Sequence, residues 1–361
     1  MPQATGSATL PLHGGKAPRW LFDRMAQLAP AIAEVIVIEQ GPSGFLQRLS
    51  DPYWFQAFGC VLGFDWHSSG VTTTVCGALK EGLARHGNEL GILVAGGKGK
   101  ASRATPGELV GFGERLGLDG NRLAYNSRMA AKVDSAAVQD GFGIYHHSFF
   151  VSTTGDWAVV QQGMRDADST ARRYHWLGSQ VKDFVNEPHA AVASDVQDQL
   201  VLNLVANESS KARTASAEFA RQEPRVVDKE IARAITLALP DRHWVDIKKD
   251  INPAHLRKVL LSTYEANPQN FEQLLAVPGV GPKAVRALAL VADVVYGSPA
   301  SWRDPARFSF AHGGKDGHPY PVNRVVYDQS VDWLREAVNK ARIGHTDKLK
   351  ALKRLADWRD D

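Results

Sequence analysis

The stretch FGIYHHSFFVSTTGDWAVVQQGM, Phe142 to Met164, holds two runs of aromatic and β-branched residues around Thr154-Gly155-Asp156. Two such runs about a glycine turn predict a β-hairpin. Side chains alternate between the faces of a strand, so the neighbours His146 and His147 must point to opposite sides. The second run carries Gln161 and Gln162 near its end. Paired imidazoles and paired amides are unusual contents for a strand otherwise built to pack.

Upstream, PRWLFDRMAQLAPAIAEVIVI opens as a helix and ELGILVAGG reads as a short strand ending in Gly-Gly. TPGELVGFGERLGL predicts a helix capped by Thr105 with Pro106 in its first turn. From Ala171 onward helix formers dominate. The polar interval ANESSKARTASAEFARQEPR, residues 206–225, predicts a connection between two parts. The expected organisation is an α/β or α+β domain over residues 1–205 and an all-α domain over 226–340. A basic helix over 341–361 follows, with Leu349, Leu352 and Leu355 on one side.

In the second part, LLAVPGVGPKAVRALALVADVVYG, Leu274 to Gly297, places two apolar helical runs about Pro278-Gly279-Val280-Gly281. Glycine ends one helix and Pro282 opens the next. Free amides and the positive dipole end at that point suit a phosphate, and Lys283 adds a charge. The stretch resembles the helix-hairpin-helix of DNA-repair proteins, and more narrowly that of endonuclease III-like glycosylases. The resemblance implies that Gly279, Val280, Gly281 and Lys283 grip the DNA backbone without reading sequence. In the lyase members of that family, a lysine at the place of Lys283 is the nucleophile and an aspartate downstream assists. Asp304 and Asn323 compete for that aspartate position, and Asn323 sits in the better local pattern, a Pro-Val pair leading into a helix. A neutral amide can neither take a proton nor stabilise a cationic transition state. The expectation is therefore a DNA-holding module, with a glycosylase or abasic-site lyase using Lys283 and Asp304 as the alternative. The cysteines that hold the family's iron–sulfur cluster are absent.

Candidates for chemistry lie in the first part. Asp65 and His67 in DWHSSG, His146 and His147, His175 in RRYHW, and Glu187 and His189 in NEPH come from four separated segments. Carboxylate and imidazole together suit Mn²⁺, Mg²⁺ or Zn²⁺ in a hydrolytic site. Asp65, His67, His146, Glu187 and His189 are the candidate ligands; the alternative for each histidine is a buried structural partner. GGKGKASR offers Lys98, Lys100 and Arg103 to backbone phosphates. It lacks P-loop spacing, so no nucleotide cofactor is expected. Ser68-Ser69-Gly70 ahead of Thr72 to Thr74 predicts a capped helix start able to hold a phosphate. Trp54, Trp66, Trp157 and Trp176 lie in or beside these segments, and read as core before they read as base-stacking surfaces.

Several further stretches, LPLHGGKAPRWLF, DWHSSGVTTT, IYHH, VVQQGM and ARRYHW, resemble an uncharacterised prokaryotic family of helix-hairpin-helix proteins. The formal charge of +3 over 361 residues permits a polyanionic partner without demanding one. Two cysteines, Cys60 and Cys76, exclude a disulfide framework or a thiolate zinc site. The start of the chain has no signal-peptide pattern, and no apolar run is long enough to span a bilayer, so a cytoplasmic protein is expected. The combined expectation is a metal-dependent nuclease of DNA repair or genome maintenance.

Overall fold

A computed structural model describes residues 17–64, 70–85, 89–167, 170–194, 200–223, 225–227, 229–230, 253–307, 324–341 and 343–360. Five antiparallel strands form its central sheet: β1 (Ile92–Lys98), β3 (Gly143–Ser152), β4 (Trp157–Arg165), β5 (Thr170–Leu177) and β6 (Ala191–Ser194), adjacent in that order. Two short strands, β2 (Val138–Gln139) and β7 (Leu202–Asn203), pair separately. An antiparallel sheet covered by helices makes this an α+β protein rather than an α/β one. The hairpin read from Phe142 to Met164 is β3 and β4. The helical reading from Ala171 is corrected, because TARRYHWL is strand β5. Every residue of β5 is buried, its arginines and histidine included, so it lacks the polar face by which a strand is recognised.

Register places polar residues in two rows across the sheet. Lys98, His146, Gln162 and Arg173 are successive cross-strand partners, and so are Gly97, His147, Gln161 and Tyr174. Cross-strand partners share a face, so the first row lies on one side of the sheet and the second on the other. Helices α1 (Arg19–Leu49), α2 (Pro52–Leu62) and α3 (Gly70–Arg85) cover the first face, burying Phe45, Trp54 and Phe58 against Phe150 and Val160. Helices α4 (Lys100–Leu116) and α5 (Gly120–Lys132) cover the second, over Phe149, Val159 and Trp176. A π-helical turn, Val133–Ala137, continues α5.

The same second-face core extends into the later helices. α6 (Ser210–Phe219) lies within the interval read as a connection, and it buries Ala212, Arg213 and Phe219. α7 (Pro253–Ala266), α8 (Phe271–Ala276) and α9 (Pro282–Tyr296) follow. α10 (Arg324–Lys340) and α11 (His345–Asp360) turn to the opposite side and pack on α1 and α2. In α11 Ala351 and Leu355 are buried and Leu352 packs partly covered against the same core, whereas Leu349, expected on the same side, is exposed. Arg354 donates to the Val61 carbonyl at 3.0 Å and so caps the end of α2. Among the described residues no helix is long and apolar enough to cross a membrane.

The glycine pair near the end of β1 is sterically specified. Gly96 has φ +88°, and a Cβ there would stand 2.2 Å from the His147 carbonyl oxygen and 2.5 Å from Thr105 Oγ1. The expected helix start at Thr105 is corrected as well, since α4 already begins at Lys100 and Thr105 donates to the Ser102 carbonyl. Gly96→Ala is expected to cost more than about 2 kcal/mol, combining backbone strain with a backbone clash. Urea denaturation checks this, and an unchanged midpoint refutes it.

Candidate functional site

Of the residues singled out by sequence, Asp65, His67, Trp66 and Asn323 lie outside the described residues, as do Ser68 and Ser69. The remaining histidines divide between the two sheet faces. His146 is buried on the first face, where its Nε2 meets Ser148 Oγ at 3.1 Å and its Nδ1 has no partner among the described residues. Burial, then the charges of His147 and Lys98, push it down to about 3. His175 shares that face. Its Nδ1 donates to the Leu49 carbonyl at 2.8 Å and its Nε2 accepts from Arg173 Nε at 2.9 Å. Burial, then the Arg173 charge, hold it well below the usual histidine range. Arg173 itself rests on the Phe55 ring and reaches Gln56 and Thr72.

The second face carries a continuous buried chain of hydrogen bonds. Ser127 Oγ lies 2.9 Å from His147 Nε2, and His147 Nδ1 lies 2.7 Å from Gln161 Oε1. Gln161 Nε2 donates to the Ala130 carbonyl and to Asp134 Oδ2. Trp176 Nε1 donates to the same Asp134 oxygen at 2.9 Å, while Asp134 Oδ1 bonds His189 Nε2. Asp134 sits in the π-turn and is fully buried. π-turns inside helices recur at functional sites. A second cluster lies beside it: Arg172 Nη1 meets Asp140 Oδ2 at 2.9 Å, and Tyr174 donates to that same oxygen at 2.6 Å.

This second chain reaches the surface at a cleft of about 320 Å³. Glu187, His189, Asn203, Glu208, Arg303 and Arg307 line it. Segment 301–307 forms one wall, fastened by a bridge from Ser301 to Asn203 and by Arg307 N–H donating to the Val192 carbonyl. Glu187 holds φ at +45°, a strained conformation for a residue with a side chain, and such strain gathers at functional sites. Its own backbone N–H, then the Ser301 hydroxyl, keep Glu208 below the usual carboxylate range. Asp304 also lines the cleft, but both its oxygens are engaged by Arg172, at 3.0 and 2.7 Å.

The candidate metal ligands are therefore not gathered. His146 lies on one face, and Glu187 and His189 serve the cleft beyond the other, so one ion cannot take all three. Among the described residues no three His, Cys, Asp or Glu side chains come together as a metal ion requires. His146 thus cannot share an ion with Glu187 and His189, and Asp65 and His67 lie outside the described residues. Trp54, Trp157 and Trp176 are core residues.

The turn between α8 and α9 presents Gly279 at φ +87° on an exposed surface, with Val280 buried beneath it. Gly281 is the N-cap of α9 and no side chain caps that helix. Lys283 is exposed two positions on. Three links tie this hairpin to α5 and β2: Lys132 to the Val280 carbonyl, Gln139 to the Pro282 carbonyl at 2.8 Å, and Tyr125 to Glu272 at 2.5 Å. Lys98 ends β1 and Lys100 opens α4, both exposed together with Arg103.

Sequence reasoning missed Asp134, Arg303 and Arg307. Asp134 left one trace, a lone charge in the small and apolar run VDSAAV. The arginines left none, since charged residues in an irregular segment are ordinary.

The chain belongs to a family of proteins of unknown function (DUF763), whose model matches residues 6–322. The sheet, the cleft and the α8–α9 hairpin all fall within that span. No curated protein and no solved structure matches the chain.

Proposed function

We propose that this chain is a DNA-processing protein of repair or genome maintenance, binding DNA backbone through the α8–α9 hairpin and hydrolysing phosphodiester bonds at the neighbouring cleft. The observation that carries the reading is the exposed Gly279–Gly281 turn, where uncapped amides, a helix dipole and Lys283 coincide. That is the arrangement by which a helix-hairpin-helix holds a phosphate. Segment 301–307 folds back along α9, where Trp302 and Arg286 line one small pocket, so a strand held at the hairpin can extend along this side toward Arg303 and Arg307. Lys98, Lys100 and Arg103 are further backbone contacts in this reading. A divalent ion remains part of the proposal only through Asp65 and His67, and no step is assigned to it.

The test is a denaturing gel of end-labelled DNA, intact and abasic, with Mn²⁺, Mg²⁺ or EDTA. Cutting of intact DNA is expected. Lys283→Ala is expected to lower the slope of log affinity against log salt by about 1, with cutting at saturating protein unchanged. If that substitution instead abolishes cutting, and only abasic DNA is cut by the unaltered protein, the chemistry is that of a lyase using Lys283. Binding without cutting on any substrate leaves a DNA-binding protein and removes the hydrolase.

A further inference from the structure

We infer that His189 is the proton acceptor of the cleft, presented through Nδ1, and that buried Asp134 is the residue that positions it. The inference rests on the hydrolase reading above and adds to it the residue that moves the proton.

The donors around Asp134 fix the protons of Trp176, Gln161, His147 and Ser127. An indole N–H can only donate, so Asp134 Oδ2 accepts from Trp176. The Gln161 amide nitrogen faces two oxygens, the Ala130 carbonyl and Asp134 Oδ2, so it too is a donor to Asp134. Gln161 Oε1 must then accept, which puts a proton on His147 Nδ1 and leaves His147 Nε2 to accept from Ser127. Two donors already meet Oδ2, so no proton sits there; as a carboxylate, Asp134 accepts the His189 Nε2 proton through its other oxygen.

In a neutral imidazole one nitrogen donates and the other accepts. His189 Nδ1 thus carries the lone pair, and no hydrogen bond to a described residue engages it. The ring cannot easily turn away, because it stands edge-on to Trp176 at 4.7 Å and beside Tyr174 at 6.1 Å. Around it, Arg307 is 3.6 Å from Glu187 and Arg303 is 3.9 Å from Glu208, with both arginine side chains largely exposed. Ion pairs that loose are worth little in water, so both guanidinium groups are available to a phosphodiester.

The step is a hydrolysis. A water in the cleft gives one proton to His189 Nδ1 as its oxygen forms the new bond to phosphorus. The bond from phosphorus to the leaving sugar oxygen breaks with its electron pair, and that oxygen takes a proton from solvent. One water is consumed, and one phosphomonoester and one alcohol result. His189 is the catalytic residue; Asp134 acts through it.

The experiment joins ring nitrogen NMR with the cleavage gel. In the unaltered protein His189 is expected to show a proton on Nε2 and a lone pair on Nδ1. Asp134→Asn must turn its amide oxygen toward Trp176 and Gln161, both donors, leaving its NH₂ toward His189. His189 Nε2 then becomes the acceptor, and the proton is expected on Nδ1. Cutting should fall at least about a hundredfold while DNA affinity holds. Asp134→Glu should restore the Nε2 proton and part of the rate. If Asp134→Asn does not fold, His189→Gln leaves the Trp176 and Gln161 contacts of Asp134 in place and should lose cutting to the same degree. An Nδ1 proton in the unaltered protein overturns the inference, as does full cutting by folded His189→Gln. The expected tautomer with no cutting of any DNA refutes the hydrolase reading itself, and the inference falls with it.

Discussion

Arg172→Met is expected to lower stability by about 3–5 kcal/mol, the cost of breaking a buried ion pair from one side. Arg172 is fully buried and serves two carboxylates at once, Asp140 and Asp304. Burial alone disfavours its charge, but the two carboxylates reverse that and hold it above the ordinary arginine range. Asp140 responds in the opposite sense. Its own burial raises it, and Arg172 and the Tyr174 hydroxyl pull against that rise. Methionine fills a similar volume, so packing is largely kept while two carboxylates lose their cation. The pair also joins distant parts of the chain, since Asp304 follows α9 and Arg172 lies on β5. Urea denaturation measures the effect, and a loss below about 1 kcal/mol would refute it. Arg172→Met with Asp304→Asn should recover part of the loss, because one stranded charge is removed.

The second large effect is on pH. His146, His147 and His175 are all buried, and all are pushed below the ordinary value of 6.5. Burial is the leading cause for each; Gln161 and Asp134 oppose it at His147, and the Leu49 carbonyl opposes it at His175. The fold therefore keeps them neutral while the unfolded chain protonates them below 6.5. In that window the unfolded state binds more protons, so stability falls as pH falls. Each histidine costs about 1.4 kcal/mol per pH unit while it stays neutral, or about 4 kcal/mol per unit for three. For His146 the loss continues down to its folded value of about 3. Total stabilities of about 5–15 kcal/mol imply unfolding well above that pH. The urea midpoint should be flat above pH 7 and drop steeply below 6.5. A midpoint unchanged between pH 7 and pH 5 would sink the claim.

The hairpin of β3 and β4 was legible because an aromatic run, a glycine turn and a second run are local features. The opposite placement of His146 and His147 followed from strand geometry alone. The helix pair around Pro278 to Gly281 was legible for the same reason, since proline and glycine punctuate helices by their own stereochemistry. Strand β5 was not, because its Arg172, Arg173 and His175 look like a solvated helical face. Only the partners supplied by Asp140, Asp304, Gln56 and Leu49 make their burial tolerable, and those partners are remote in sequence. The cleft was half legible. Glu187 and His189 were found from their spacing, whereas Asp134 and the arginines reach them through the fold. That the sheet stands between His146 and His189 was not legible, because residue types alone do not show which face each one takes.

The two polar rows turn the sheet into a partition with different contents on each side. Moving β3 by a single position would send His147 toward α3, set His146 or Ser148 opposite Gln161, and carry Phe149 and Phe150 each to the wrong face. β1, β3, β4 and β5 are all tied to that choice through their cross-strand partners. The span from Gly143 to Leu177 is therefore a fixed-length gauge, in which a residue can be gained or lost harmlessly only at the exposed bends between strands. Relatives of this chain should differ in length there and keep the intervening counts unchanged.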